Sequence, residues 1–249
     1  MNKPILKASI LCVLFAICIS SSFAQATQGD STYLQNTLAQ TIAGFDKAID
    51  QQSRLYNGQE YLGYDRVIKG TALFPLDATT WLPGQVNYDG ITYKNIPMMY
   101  DIYRDVAVVL LYNKFSKYIL ISERVRDFTL LDHHFVRVEV DSLANPGIST
   151  GFYDQLYSGK IQVLAKRIKT IQTSTVQITL ETYFSEKHSY YLRKGNTYYS
   201  IGSQRSILNV LKDKKKQLQQ YIRDNNIQFR DDPEENMAKI AAYYDQLTN

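Results

Sequence analysis

Apolar residues recur at Leu34, Leu38, Ile42, Phe45 and Ile49, at spacings of four, four, three and four. That period puts them on one stripe of a helix, predicted over residues 30–53. Asp30 or Ser31 stands where the helix needs a cap, and Asn57-Gly58 supplies residues that tolerate a left-handed helix stop. From Tyr61 to about Gly202 the period falls to two, the signature of half-buried strands. Val86-Asn87-Tyr88 and Ile91-Thr92-Tyr93 flank Asp89-Gly90, the composition of a two-residue hairpin turn whose central residues both need positive φ. This turn pairs Tyr88 with Ile91 and Val86 with Tyr93, and the two pairs are expected on opposite faces of the sheet.

Further hairpins follow in series. Val106–Tyr112 and Tyr118–Ser122 flank a polar turn. Val125–Leu131 turns at Asp132-His133 into Phe135–Val140, and Phe152–Tyr157 turns at Ser158-Gly159 into Ile161–Ile171. Val176–Phe184, Ser189–Leu192 and Thr197–Ile201 complete the set. Eight to eleven short strands joined by tight turns predict an antiparallel meander, either sandwich or open barrel. The tail returns to helix. Ser203 caps one helix, Asp213 is placed to cap the next, and Asp232-Pro233-Glu234-Glu235 is a strong start for a third, with acids at its positive end. The fold class is thus α+β, mainly β. Its expected organisation is a signal segment over residues 1–24, an N-terminal helix packed on the sheet (25–60), an antiparallel β domain (61–202) and a C-terminal helical segment (203–249).

The first residues change the picture. Lys3 and Lys7 precede the apolar run Ile10–Ile19, and small residues Ser22 and Ala24 stand where a signal peptidase reads. Ten apolar residues fall short of the ~20 a permanent membrane helix needs. A secretory signal cleaved after Ala24 is therefore expected, with no transmembrane segment left behind and an exported, periplasmic or extracellular product. Cys12 and Cys18, the chain's two cysteines, both lie in this segment, so the mature chain offers no disulfide, thiolate ligand or cysteine nucleophile. Leu11 and Ile17 precede them where a lipoprotein signal needs a small residue, so no lipid anchor is expected. Loss of Lys3 and Lys7 lowers the net charge from +4 to +2, which is no electrostatic footprint for nucleic acid.

Candidate chemistry is sparse. Gly147-Ile148-Ser149-Thr150-Gly151 matches G-x-S-x-G, with Asp154 and His188 following in hydrolase order. The motif works only as a strained turn between a buried strand and a helix, whereas here a strand follows it, so a glycine-rich connection is the reading. His133 and His134 are adjacent, and on a strand they point to opposite faces; they are read as solvated turn residues without a third metal ligand. Glu123, Asp127, Glu139 and Asp141 are read as the polar sides of strands rather than a glycosidase pair. Lys212, Lys214, Lys215 and Lys216 form a solvated helix face. Most of the 20 tyrosines are assigned to cross-strand packing. Trp81 is singled out as the residue of a possible binding surface. No catalytic, cofactor-binding or metal-ligating residue is assigned.

The phrases Leu55-Tyr56-Asn57-Gly58-Gln59-Glu60-Tyr61 and Trp81-Leu82-Pro83-Gly84-Gln85-Val86-Asn87-Tyr88-Asp89-Gly90 recur in a known context. With Ile96-Pro97-Met98-Met99-Tyr100-Asp101, Gly151-Phe152-Tyr153, Asp213-Lys214-Lys215-Lys216 and Tyr243-Tyr244, the chain resembles a family of uncharacterised signal-peptide-bearing proteins from Bacteroidota. The resemblance spans nearly the whole mature chain and implies a secreted or periplasmic β-rich protein, with no activity or catalytic residues attached. The expectation is a non-catalytic protein that binds an envelope component, a glycan or a protein. A hydrolase acting on glycan or peptide is the alternative, and a carrier holding lipid or another apolar molecule in a curved sheet is a third.

Overall fold

The computed structural model describes residues 34–35, 37–41, 54–74, 81–141, 145, 147–176 and 179–248. Residues 34–35 and 37–41 are helical, with Leu34 and Leu38 exposed. The rest of the expected apolar stripe, its caps and the signal segment lie outside the described residues. The chain divides into units 1–52 and 53–249, and the second holds the whole sheet and the C-terminal helices.

Among the described residues, alternating apolar positions build eleven strands: β1 (Leu73–Phe74), β2 (Leu82–Tyr88), β3 (Ile91–Asp101), β4 (Val106–Leu110), β5 (Lys117–Ile119), β6 (Val125–Leu130), β7 (His133–Val138), β8 (Gly151–Ser158), β9 (Ile161–Val176), β10 (Thr179–Lys194) and β11 (Thr197–Ile201). They form one antiparallel sheet that does not close, ordered β11-β10-β9-β8-β7-β6-β2-β3-β4-β5, with β1 beside the end of β3. Two meanders, β2–β5 and β6–β11, meet where β6 lies against β2.

The Asp89-Gly90 turn has φ of 50° and 77°, and it sets the expected register of Val86 against Tyr93 and Tyr88 against Ile91. The expectation of opposite faces is corrected. Residues two apart share a face, and Val86, Tyr88 and Tyr93 are buried in one cluster. The β6–β7 turn falls one residue earlier than predicted, at Leu131 (φ 57°) and Asp132, which puts both histidines on β7 rather than in a turn. The stretches Val176–Phe184 and Ser189–Leu192, read as separate strands, are corrected: Val176 ends β9, and Thr179–Lys194 is one strand, β10, paired with β9 from Val176–Thr179 to Ile161–Lys194.

Asn57-Gly58 does not stop a long helix within the described residues; a short 3-10 turn, Arg54–Tyr56, precedes it. Gly58 has another reason: a Cβ there would overlap the carbonyl oxygen of Ile119, so only glycine lets the two backbones meet.

Three helices follow, α1 (Gln204–Val210), α2 (Lys215–Asp224) and α3 (Pro233–Leu247). Ser203 caps α1 in a capping box with Ser206. Asp232 caps α3 by accepting from the Glu235 N–H at 2.9 Å. Asp213 does not cap α2; its carboxylate takes the Lys194 ammonium and the Tyr244 hydroxyl instead. The helices bury Leu208, Leu218, Ile222, Met237 and Ile240 against Ile161, Val163, Leu192 and Ile201 of the sheet. A second core, rich in aromatic rings, joins the first meander to β6–β8, where Phe128 and Phe135 stack 4.9 Å apart and Tyr100 and Phe152 meet Phe128 edge-on.

Candidate functional site

The loop before β1 is held by hydrogen bonds to two strands. The Tyr61 N–H donates to the Lys117 carbonyl and the Ile119 N–H to the Gln59 carbonyl, each at 2.8 Å, which adds this segment to the β5 edge. Farther on, Lys69 donates to Thr182 and accepts from Phe184 on β10.

Between these ends, Asp101 at the end of β3 organises the loop. It is fully buried and accepts from the Tyr64 hydroxyl at 2.6 Å, the Tyr61 hydroxyl at 3.1 Å, and the backbone N–H groups of Tyr103 and Arg104. A buried carboxylate is tolerable only with its lone pairs satisfied in this way. The Arg104 guanidinium lies over both rings, at 4.6 Å from Tyr64 and 5.5 Å from Tyr61, and donates to the Leu62 carbonyl. Burial, reinforced by the Asp101 charge and hydrogen bond, pushes both phenols far above their ordinary pKa, so they remain neutral donors.

This anchoring forms a groove. One recess of about 420 Å³ is lined by Glu60, Tyr61, Leu62, Trp81, Phe115 and Lys117, among others. A neighbouring recess of about 470 Å³ shares Tyr61, Gly63 and Lys117 and continues along Tyr64, Arg66, Ile68 and Phe184. Trp81 is half-buried, whereas Leu62 is 68% and Phe115 84% exposed. Two large apolar side chains thus stand exposed beside the recess, with Glu60, Lys114 and Lys117 also lining it.

Trp81, the one residue predicted for a binding surface, lies in this groove. Leu62 and Phe115 were missed. Phe115 had a signal, an aromatic ring inside the polar turn Asn113-Lys114-Phe115-Ser116-Lys117. Leu62 had none, because its position depends on the distant Asp101 and Arg104.

A second polar constellation is internal. Asp154, nearly fully buried, accepts from His133 Nδ1 at 2.6 Å and from Arg167 Nη2 at 2.5 Å. Arg167 forks onward to both oxygens of Glu234 at 3.0 and 2.8 Å, and the Tyr190 hydroxyl donates to Glu234 at 3.0 Å. Burial pushes the Asp154 carboxyl up, but the hydrogen bonds from His133 and Arg167 outweigh it and hold it below its ordinary value. The Asp154 hydrogen bond raises His133. The Tyr190 phenol is pushed up to about 12 by burial and by Glu234. Nearby, Lys166 reaches Asp105 at 2.6 Å and the Phe152 carbonyl at 2.9 Å.

The hydrolase order in the sequence does not assemble. Ser149 lies in a loop whose backbone exchanges hydrogen bonds with the Tyr153 hydroxyl. Asp154 is bonded to His133 and Arg167, and His188 to Glu186 at 2.6 Å. His133 and His134 do point apart, to Asp154 and Asp127 respectively, and neither is the freely solvated turn residue expected. Glu123 and Glu139 both approach Arg137, and Asp127 meets Arg126. Among the described residues no group of three or more His, Cys, Asp or Glu could hold a metal ion, and no helix is long and apolar enough to cross a membrane.

Comparison of the chain with protein-family models, curated proteins and solved structures finds no match.

Proposed function

We propose that this protein is exported and acts without catalysis, binding an envelope glycan or protein in the groove around Trp81, Leu62 and Phe115. The observation that carries the reading is the exposure of Leu62 and Phe115 beside a recess whose wall is fixed by Asp101. A backbone fixed in advance spares the cost of ordering the loop on binding. Trp81 and Phe115 offer ring faces that suit the apolar face of a sugar or an extended peptide, and Lys114, Lys117 and Glu60 supply polar contacts at the rim. The signal segment and the resemblance to exported proteins from Bacteroidota support the location.

Trp81 is the only tryptophan in the chain, so its emission reports the groove directly. Titration with soluble envelope oligosaccharides and with extended peptides is expected to give a saturable change in Trp81 fluorescence for one of the two classes. Phe115→Ala and Leu62→Ala, both at exposed positions, should weaken that binding about tenfold, equivalent to roughly 1.4 kcal/mol, without lowering the melting temperature. A ligand whose affinity ignores both substitutions, or one that the protein turns over, sinks the reading.

A further inference from the structure

The β9–β10 hairpin outruns the rest of the sheet. β8 pairs with β9 only as far as Asp154 against Ala165, whereas the β9–β10 ladder continues to Val176 against Thr179. Beyond β8, the Lys169 N–H donates outward to the Ile102 carbonyl. Because backbone groups alternate sides along a strand, Ile171, Thr173 and Thr175 present their N–H and C=O on that same outer edge. The opposite edge of the hairpin obeys the same parity: Thr182 and Phe184 there bond Lys69. No bond meets Ile171, Thr173 or Thr175 on the outer edge among the described residues.

The side chains do not protect this edge. From Thr170 to Leu180 the sequence is TIQTSTVQITL, without a charge, proline or glycine, in a chain that is 21% charged. Soluble proteins usually blunt an open edge with lysine, proline or a bulge. Here the β-branched content favours an added strand instead.

We propose that the outer edge of β9 over Ile171–Thr175 pairs antiparallel with the same edge of a second copy, across a dyad at Thr173. Self-pairing is favoured by the absence of charge. An isologous pairing sets the residue on the dyad, Thr173, against its own image, where a charge would repel and threonine pairs well. The dyad sets Ile171 of one copy against Thr175 of the other and joins two open sheets into one. So short an edge buries well under the ~1,000 Å² of a stable interface, so the dimer is weak and forms in proportion to concentration.

Sedimentation velocity across a concentration series of the mature chain tests this, together with hydrogen exchange at the Ile171, Thr173 and Thr175 amides. The expected result is a monomer–dimer equilibrium with exchange at these amides slowing as dimer forms. Thr173→Lys should weaken association at least about tenfold. Thr173→Pro should do the same by removing an N–H that faces away from β10, which leaves the internal ladder intact, and unchanged circular dichroism of both variants separates loss of pairing from loss of fold. A protein that stays monomeric throughout, with edge amides exchanging freely or shielded by some other strand, overturns the proposal. A dimer indifferent to both substitutions overturns it as well.

Discussion

His133 and Asp154 show how one hydrogen bond sets a pH window. The folded state raises the His133 pKa and lowers that of Asp154. The histidine contribution is therefore complete below its unfolded pKa of about 6.5 and is lost as pH rises through the higher folded value. The aspartate contribution is complete above about 3.9 and is lost as pH falls through the lower folded value. The melting temperature is expected to peak between these limits and decline on both sides. In thermal melts against pH, His133→Asn should flatten the alkaline decline; an alkaline limb of unchanged slope would assign it to other groups. Gly90 sets a different residue-scale limit. At φ 77° with open space around it, Gly90→Val meets no neighbour, yet backbone strain should cost about 1–3 kcal/mol. Chemical denaturation measures that loss directly, and a stability equal to the parent's would mean that the turn relaxes freely.

At the scale of elements, α3 is fastened to the sheet by charge as well as by apolar packing. Glu234 at its start meets Arg167, and Asp245 near its end accepts from the Tyr157 hydroxyl and the Lys160 N–H. Arg167→Met leaves Asp154 and Glu234 without their shared cation, and removing one partner of a buried pair costs about 3–5 kcal/mol. Adding Asp154→Asn should recover part of that loss, a coupling that a double-mutant cycle in urea resolves; strict additivity would show that the two groups act independently. This fastening was only half legible. Asp232-Pro233-Glu234-Glu235 announced the helix start, because capping is local chemistry. That Glu234 reaches Arg167 was not, since it depends on how α3 crosses β9. The run Lys166-Arg167-Ile168-Lys169 inside a strand was the available clue, as cations on both faces of a buried strand require partners.

Across the whole molecule, alternation and turn composition made the meander readable, and Asp89-Gly90 fixed a register correctly. Which strands adjoin was another matter. The sequential hairpins are local, but the contact of β2 with β6 skips three strands, and nothing in either segment marks the other as its neighbour. The groove was hidden for a related reason: Trp81, Leu62 and Phe115 come from three separate stretches that meet only because the segment around Tyr61 returns to the β5 edge, and only Trp81 stood out by type. The helices imply a global property. Ending the chain after Gly202 would expose Ile161, Val163, Leu192 and Ile201 along one sheet face, a contiguous apolar patch of the kind that drives association. The truncated protein is expected in the insoluble fraction while the parent stays soluble; a soluble, folded truncation would show that the sheet is self-sufficient.

The fastening of Arg167 by Glu234 also orders events in time. A growing chain releases β9 well before α3, so the guanidinium waits with only Asp154 to neutralise it until residue 234 is available. The β9 segment should therefore stay loose in nascent chains and tighten only once α3 has emerged. Protease resistance of ribosome-stalled chains of increasing length should rise in a late step at that point, and resistance already complete in chains ending before Asp232 would rule this order out.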